Sequence, residues 1–444
     1  MNIIQFEDKN LAHYSYSIIR NGEMAVIDPA RNPQPYYDLA KLYDARIVAV
    51  IETHPHADFV SSHLEIHNTT GAPVYVSRLL GAEYEHKSFD DEDVIAIGNI
   101  SLKALNTPGH SPDSICIVAI DENGREEAVF TGDTLFIGDC GRPDLRESAG
   151  GITAAREVLA KQMYHSLRDK LMNLPNTTFV YPAHGAGSLC GKGLSEKNSS
   201  TIGIEKASNW CLQKSTAEDF VKELLENQPF VPKYFTYDVG LNKKGAEKYE
   251  ESIHKVKRND TTPLQLENYL IIDTRNETEF KKGFLKNSVN LMNDTKFETW
   301  LGSIIAPREK FYLLAKSMDQ LQLLIERIAK IGYEGQIEKA FVGNEIKGET
   351  INNLDINHFR KTQTDFTVMD IRNPSEIKEK KIFDNAIYIP LYELRERVNE
   401  IPTNKPLVVH CAGGYRSAAG VSIIRNFIKS TIPVFDLGDA VNSF

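Results

Sequence analysis

Thr53-His54-Pro55-His56-Ala57-Asp58-Phe59 comes one residue after the apolar run Arg46-Ile47-Val48-Ala49-Val50-Ile51. The run has the length and β-branched content of a buried strand, so the polar residues after it fall at a sheet edge. His54, His56 and Asp58 alternate, and in an extended segment alternate side chains point the same way. Imidazole nitrogen and carboxylate oxygen are the donors that zinc and iron accept, provided each imidazole is neutral. Asp58 also reads as a helix cap ahead of Val60-Ser61-Ser62-His63-Leu64.

Three further runs end in the same way. Ile100–Leu105 leads to Thr107-Pro108-Gly109-His110, Ala128–Phe130 to Thr131-Gly132-Asp133-Thr134, and Thr178–Tyr181 to Pro182-Ala183-His184-Gly185. A sheet packed on both faces fixes such residues from distant positions while its loops leave room for a substrate. One histidine near a strand more often caps or packs. Four strand-end placements with HxHxD spacing predict a metal centre.

Over roughly residues 1–245 this pattern resembles the metallo-β-lactamase superfamily, an αββα sandwich with the signature HxHxDH, then histidine, aspartate and a last histidine. In its two-metal hydrolases the histidine ending the first motif serves the second metal. Here that position is Phe59, which cannot ligate and presents an apolar ring. The match is closer to the persulfide dioxygenase branch, which implies one Fe(II) per domain on His54, His110 and Asp133. Two imidazoles and a carboxylate leave positions open for substrate and dioxygen. His56, Asp58 and His184 would then orient ligands or hold water, with coordination by His56 left open.

Gly138-Asp139-Cys140-Gly141-Arg142-Pro143-Asp144-Leu145 and Gly187-Ser188-Leu189-Cys190-Gly191-Lys192 resemble the CGRxD and GSLCGK segments of that branch. The resemblance places Arg142 and Cys190 in the substrate pocket. As residues alone, Arg142 pairs with an anionic thiol or a loop carboxylate, and Cys190 also reads as a small packed residue. Phe230–Phe235, with Asn242 and Gly245, resembles the close of the domain. Residues 246–260 are charged and poor in large aliphatics, as in an exposed helix or a linker, and Thr261-Thr262-Pro263 marks a fresh start.

Beyond it the chain repeats. Leu270-Ile271-Ile272-Asp273-Thr274-Arg275 and Thr367-Val368-Met369-Asp370-Ile371-Arg372 align at an offset of 97 residues (370 minus 273), a domain length rather than a solenoid period. The second copy continues into Val408-Val409-His410-Cys411-Ala412-Gly413-Gly414-Tyr415-Arg416-Ser417 and a helical pattern. A strand, tight loop and helix in that order aim amides and a helix N-terminus at the sulfur, stabilising an anion there. Cys411 is the candidate nucleophile, with Arg416 beside it. The segment resembles a rhodanese, whose loop has four residues between cysteine and arginine. The resemblance implies that Ala412, Gly413, Gly414, Tyr415 and Ser417 bind the substrate. In the first copy Ala315 and Gln320 stand at the matching positions, so residues 261–350 resemble a pseudo-rhodanese and 355–444 the catalytic copy. The expected fold class is therefore α/β, a metallo-β-lactamase sandwich followed by two rhodanese-like domains.

A chain of 444 residues suits such a partition. The formal net charge of -10 argues against a nucleic-acid surface, and no basic run marks a membrane surface. The first residues lack a basic start and a long apolar core, and the five cysteines are odd in number and widely spaced, so a reducing cytoplasm is expected. The whole resembles the dioxygenase–sulfurtransferase fusions of bacterial sulfide detoxification. That resemblance implies oxidation of a small thiol persulfide by dioxygen to sulfite and thiol, then rhodanese transfer of sulfur to sulfite, giving thiosulfate. The alternatives are a dinuclear-zinc thioesterase of glyoxalase II type, kept alive by His184, and a sulfur carrier without turnover. A copy without chemistry can supply an interface, which leaves a homo-oligomer open.

Overall fold

The structure, a computed structural model, describes residues 1–146, 156–214, 216–263 and 265–444. Met1–Ser252 and Ala329–Gly332 form one unit, and Ile253–Ile328 with Tyr333–Phe444 a second.

In the first unit β1 (Asn2–Asp8), β2 (His13–Arg20), β3 (Glu23–Ile27), β4 (Arg46–Ile51), β5 (Val74–Val76) and β6 (Lys87–Ser88) lie side by side in chain order. A second sheet holds β7 (Val94–Ile97), β8 (Ile100–Asn106), β9 (Ile115–Ile120), β10 (Glu126–Gly132), β11 (Phe179–Pro182) and β12 (Ser200–Thr201), again in order. The sheets meet through Tyr16, Ile18, Ile27 and Ile51 on one side and Leu102, Ile117 and Phe130 on the other. Strand periodicity sends the alternate residues outward. Val26 and Val50 pack with Tyr36, Ala40 and Ile66 from helices Gln34–Leu42 and His63–Thr70. Val118, Val129 and Val180 pack with Ala160, Met163, Phe220 and Leu224 from helices Arg156–His165 and Ala217–Leu225. The result is the expected αββα layering. Each fully buried Val, Ile or Phe contributes about 1.5–3 kcal/mol, so strands covered on both faces hold their ends in fixed places.

The second unit holds two parallel sheets. The first comprises β13 (Arg258–Asn259), β14 (Leu270–Asp273), β15 (Ser288–Asn290), β16 (Phe311–Ala315) and β17 (Ile337–Val342) in the order 13-17-16-14-15. The other comprises β18 (Thr367–Asp370), β19 (Ile387–Tyr388), β20 (Leu407–His410) and β21 (Val434–Asp436) in the order 19-18-20-21. Read from the opposite edge, the orders coincide, apart from the added β13. The match extends to hydrogen bonds. Arg275 grips Asp273 with Nε at 2.9 Å and a terminal nitrogen at 2.6 Å and caps Gly283 O, while Arg372 grips Asp370 and caps Lys380 O.

Residues 246–260 carry helix Tyr249–His254 and β13, which pairs with Ala340 and Phe341 of β17. Tyr249, Ile253 and Val256 are buried, and three apolar side chains suffice to seat a segment whose other residues are charged. Within the second unit the copies also bond to each other. Asn290 N–H donates to Ser422 Oγ at 3.0 Å, Asn426 Nδ2 to Ser288 O at 2.8 Å, and Arg395 forks onto Glu309 at 2.6 and 2.7 Å. Among the described residues no helix is long and apolar enough to cross a membrane.

Candidate functional site

The strand-end residues converge. His54, His110 and Asp133 are all buried and offer one donor atom each within a single small cluster. His110 Nε2 stands 3.5 Å and His54 Nε2 3.8 Å from Asp133 Oδ2. The other ring nitrogens are held from behind, His54 Nδ1 by Thr53 Oγ1 at 3.0 Å and His110 Nδ1 by Arg142 O at 2.9 Å. Such outward bonds fix the tautomer and leave each Nε2 lone pair facing inward. Ligands bonded at about 2.1 Å to one ion lie about 3.0–3.5 Å apart, so the two distances to Asp133 are already close to those of a shared ion. Both oxygens of Asp133 are buried without a hydrogen-bond partner. A buried carboxylate left so is costly unless a cation faces it, and the donor set therefore fits a metal ion.

A second group lies beside the first. His184 Nε2 is 3.4 Å from Asp58 Oδ2 and 3.5 Å from Asp133 Oδ1, while its Nδ1 is 3.2 Å from Ala12 O. Burial works against charge on His184, but the Asp58 and Asp133 carboxylates outweigh it and raise its pKa well above the ordinary imidazole range. His56 groups with Asp58 and His184 rather than with His54 and His110, and its Nε2 lies 3.1 Å from Asp28 Oδ1. Phe59 is 1 % exposed, with its ring centroid 3.8 Å from His13 and 4.4 Å from His56. An apolar ring thus stands beside the His56, Asp58 and His184 group. Phe59→His is expected to raise the number of metal ions bound per chain, read by elemental analysis after loading and desalting; an unchanged count would separate Phe59 from metal number.

Sequence reasoning missed Asp28 and His13. Asp28 accepts from Thr53 N–H at 2.7 Å and Thr53 Oγ1 at 2.8 Å, so it holds the start of the HxHxD loop. It follows β3 by one residue, the same strand-end placement that marked the others. His13 opens β2 and bridges to His184, with nothing in its sequence neighbourhood to distinguish it. Gly141 matters sterically, since a Cβ there would sit 1.9 Å from Asp133 O.

Arg142, 1 % exposed, is fully engaged: Nε and a terminal nitrogen donate to Asp144 at 2.7 and 2.6 Å, and the other terminal nitrogen to Leu189 O at 3.1 Å. Of its two readings, the loop carboxylate is the one seen. Cys190 is buried next to Asp133 and His184, and burial followed by the Asp58 and Asp133 charges pushes its thiol up.

In the second unit β20 delivers Cys411 to a loop that ends at helix Tyr415–Phe427. Gly414, at φ 97°, donates its N–H to Cys411 Sγ at 3.1 Å, a backbone conformation few other residues adopt. Ser417 Oγ donates to Gly414 O at 2.9 Å and bolts the loop to the helix. Ala412 and Gly413 are exposed at its tip. Arg416 points to Glu376 in a bidentate pair at 2.5 and 2.7 Å, with its guanidinium 5.9 Å from the Trp300 ring of the first copy. Tyr415 OH donates to Met292 O at 3.1 Å, also in the first copy. In the first copy's own loop, Ala315 ends β16, Lys316 Nζ pairs with Glu279 at 2.7 Å, and Gln320 Oε1 accepts from Lys316 N–H. The acidic partner survives there without thiol or arginine.

Residues 9–184 match the metallo-beta-lactamase superfamily and residues 356–438 the rhodanese-like domain. The crystal structure of a metallo-beta-lactamase from Staphylococcus aureus subsp. aureus COL superimposes with a TM-score of 0.68 at 30% identity, over 77% of this chain and 98% of that one. The chain belongs to the metallo-beta-lactamase superfamily and carries a rhodanese-like domain at its C-terminal end. Within that superfamily, persulfide dioxygenase ETHE1 of Bos taurus is 31% identical over 49% of this chain and 77% of its own length. A probable hydroxyacylglutathione hydrolase of Schizosaccharomyces pombe is 32% identical over 39% of this chain. The chain spans 63% of that hydrolase's length and 59% of human ETHE1. The lactamase-type domain therefore sits between an oxygenase and a hydrolase relative, and its own residues must separate them.

Proposed function

We propose that the chain is a persulfide dioxygenase fused to a sulfurtransferase, releasing sulfite from a small thiol persulfide and using Cys411 to convert sulfite to thiosulfate. The observation that carries this reading is Phe59. One complete His-His-carboxylate set, His54, His110 and Asp133, stands beside a group whose neighbouring position is an apolar ring. Ferrous iron on that set would supply the redox chemistry that joins dioxygen to sulfur. Thr53 and the Arg142 carbonyl keep the two imidazoles in the ligating tautomer, and Phe59 and His13 exclude water from one side.

At the second site the Cys411 thiolate attacks the outer sulfur of a persulfide, the S–S bond breaks, and the parent thiol leaves with the electron pair and a proton. Gly414 N–H and the helix N-terminus stabilise the sulfur held on Cys411. Sulfite then takes that sulfur, giving thiosulfate and restoring the thiol. Fusion raises the local sulfite concentration without requiring a channel. A cytoplasmic setting would keep both thiol and iron reduced.

A second reading, a metal-dependent thioesterase, is favoured by His184 lying within 3.5 Å of both Asp58 and Asp133. Anaerobic purification, iron and zinc counts per chain, and oxygen uptake with a glutathione or coenzyme A persulfide distinguish them. Iron with persulfide-dependent uptake is expected; zinc with thioester cleavage and no uptake would sink the dioxygenase.

A further inference from the structure

Two cysteines that neither site uses lie together behind the metal centre. Cys140 Sγ and Cys211 Sγ are 2.8 Å apart, both thiols are free, and both residues are buried, at 1 % and 0 % exposed. The contact is far inside the separation of two unbonded sulfurs and under an ångström longer than a disulfide bond of about 2.05 Å. Two thiolates on one metal ion, at about 2.3 Å each, would stand about 3.7 Å apart, so the spacing does not suit a shared ion. The neighbouring carboxylate is also spoken for. Asp139 accepts from Lys192 N–H at 2.9 Å, Gly193 N–H at 2.7 Å and Trp210 Nε1 at 2.8 Å.

The backbone on each side is already pinned. Asn209 Nδ2 donates to Phe136 O and Asp139 O, both at 3.1 Å, while its Oδ1 accepts from Cys211 N–H at 3.0 Å. One side chain thus ties the loop before Cys140 to the short helix Trp210–Gln213. The sulfurs need to close by only about 0.8 Å to reach bonding distance.

We propose that Cys140 and Cys211 form a dithiol–disulfide couple, a covalent staple closed by a low-molecular-weight disulfide. One thiolate attacks a sulfur of R–S–S–R, that bond breaks, and R–S⁻ leaves with the electron pair and takes up a proton. The second cysteine, losing its proton, attacks the mixed disulfide and expels the other R–SH. The protein pair gives up two electrons and two protons, and the small disulfide becomes two thiols. Burial raises both thiols, so exchange proceeds through local opening and is slow in either direction. Once closed, the staple holds the loop in which Gly141 packs on Asp133 O and Arg142 O receives His110.

The test is to equilibrate the full-length, metal-loaded chain anaerobically in reduced and oxidised dithiothreitol mixtures. Quenching by alkylation in denaturant and peptide mapping follow. A cross-linked peptide pair carrying Cys140 and Cys211 is expected, with both residues alkylated in the reduced sample. Unfolding should need more urea in the oxidised sample than in the reduced one, and the difference should vanish in Cys211→Ser and Cys211→Ala. Full alkylation of both cysteines at every ratio, or a link from Cys140 to another cysteine, would overturn the proposal. Neither result depends on which metal or substrate the other site takes.

Discussion

Cys411→Ser is expected to reduce thiosulfate formation by about a thousandfold or more, because a serine hydroxyl cannot hold transferable sulfur. Persulfide-dependent oxygen uptake should stay within about twofold of the parent rate, since the two chemistries share no residue. The product then shifts from thiosulfate to sulfite, which ion chromatography reads directly. Serine keeps the size of the thiol and can still accept from Gly414 N–H, so the loop has no reason to move. Unchanged thiosulfate in this variant would remove Cys411 from the reaction.

Asp133→Asn addresses the other half. Asp133 is the charged member of the His54, His110 and Asp133 set, and both its oxygens are buried without another hydrogen-bond partner. An amide of the same shape removes the charge that a dication would meet there. Metal retained after dialysis should fall to background, with oxygen uptake lower by about a thousandfold or more. Thiosulfate formation from added persulfide and sulfite should persist, because Cys411 needs no metal. Full metal retention in Asp133→Asn would place the ion elsewhere, and the group around His184 would be the next candidate.

How much of this was legible depended on how local the signal was. The strands leading to His54, His110, Asp133 and His184 were readable because each is a short apolar run that changes abruptly to polar residues. They span Arg46–Ile51, Ile100–Asn106, Glu126–Gly132 and Phe179–Pro182. The repeat was readable because Asp273–Arg275 and Asp370–Arg372 are built alike, and their side chains bond alike. Asp28 escaped notice because its role is to hold Thr53, a contact across 25 residues with no spacing rule behind it. Glu376 as the partner of Arg416 escaped for the same reason, whereas the loop carboxylate offered for Arg142 is Asp144, two residues away. In residues 246–260 charge dominates the composition, which hides the burial of Tyr249, Ile253 and Val256.

The duplication has a stoichiometric consequence. A symmetric pair of sulfurtransferases would carry two accepting thiols and would come apart on dilution. Here both copies are on one polypeptide, joined by the Asn290–Ser422 and Arg395–Glu309 bonds, and one has Ala315 where the other has Cys411. Tyr415 and Arg416, at the end of the Cys411 loop, rest on Met292 and Trp300 of the other copy. The arrangement is an unequal dimer made by one gene, insensitive to protein concentration. It fixes the ratio at one Cys411 thiol for each His-His-carboxylate set, whatever the level of expression.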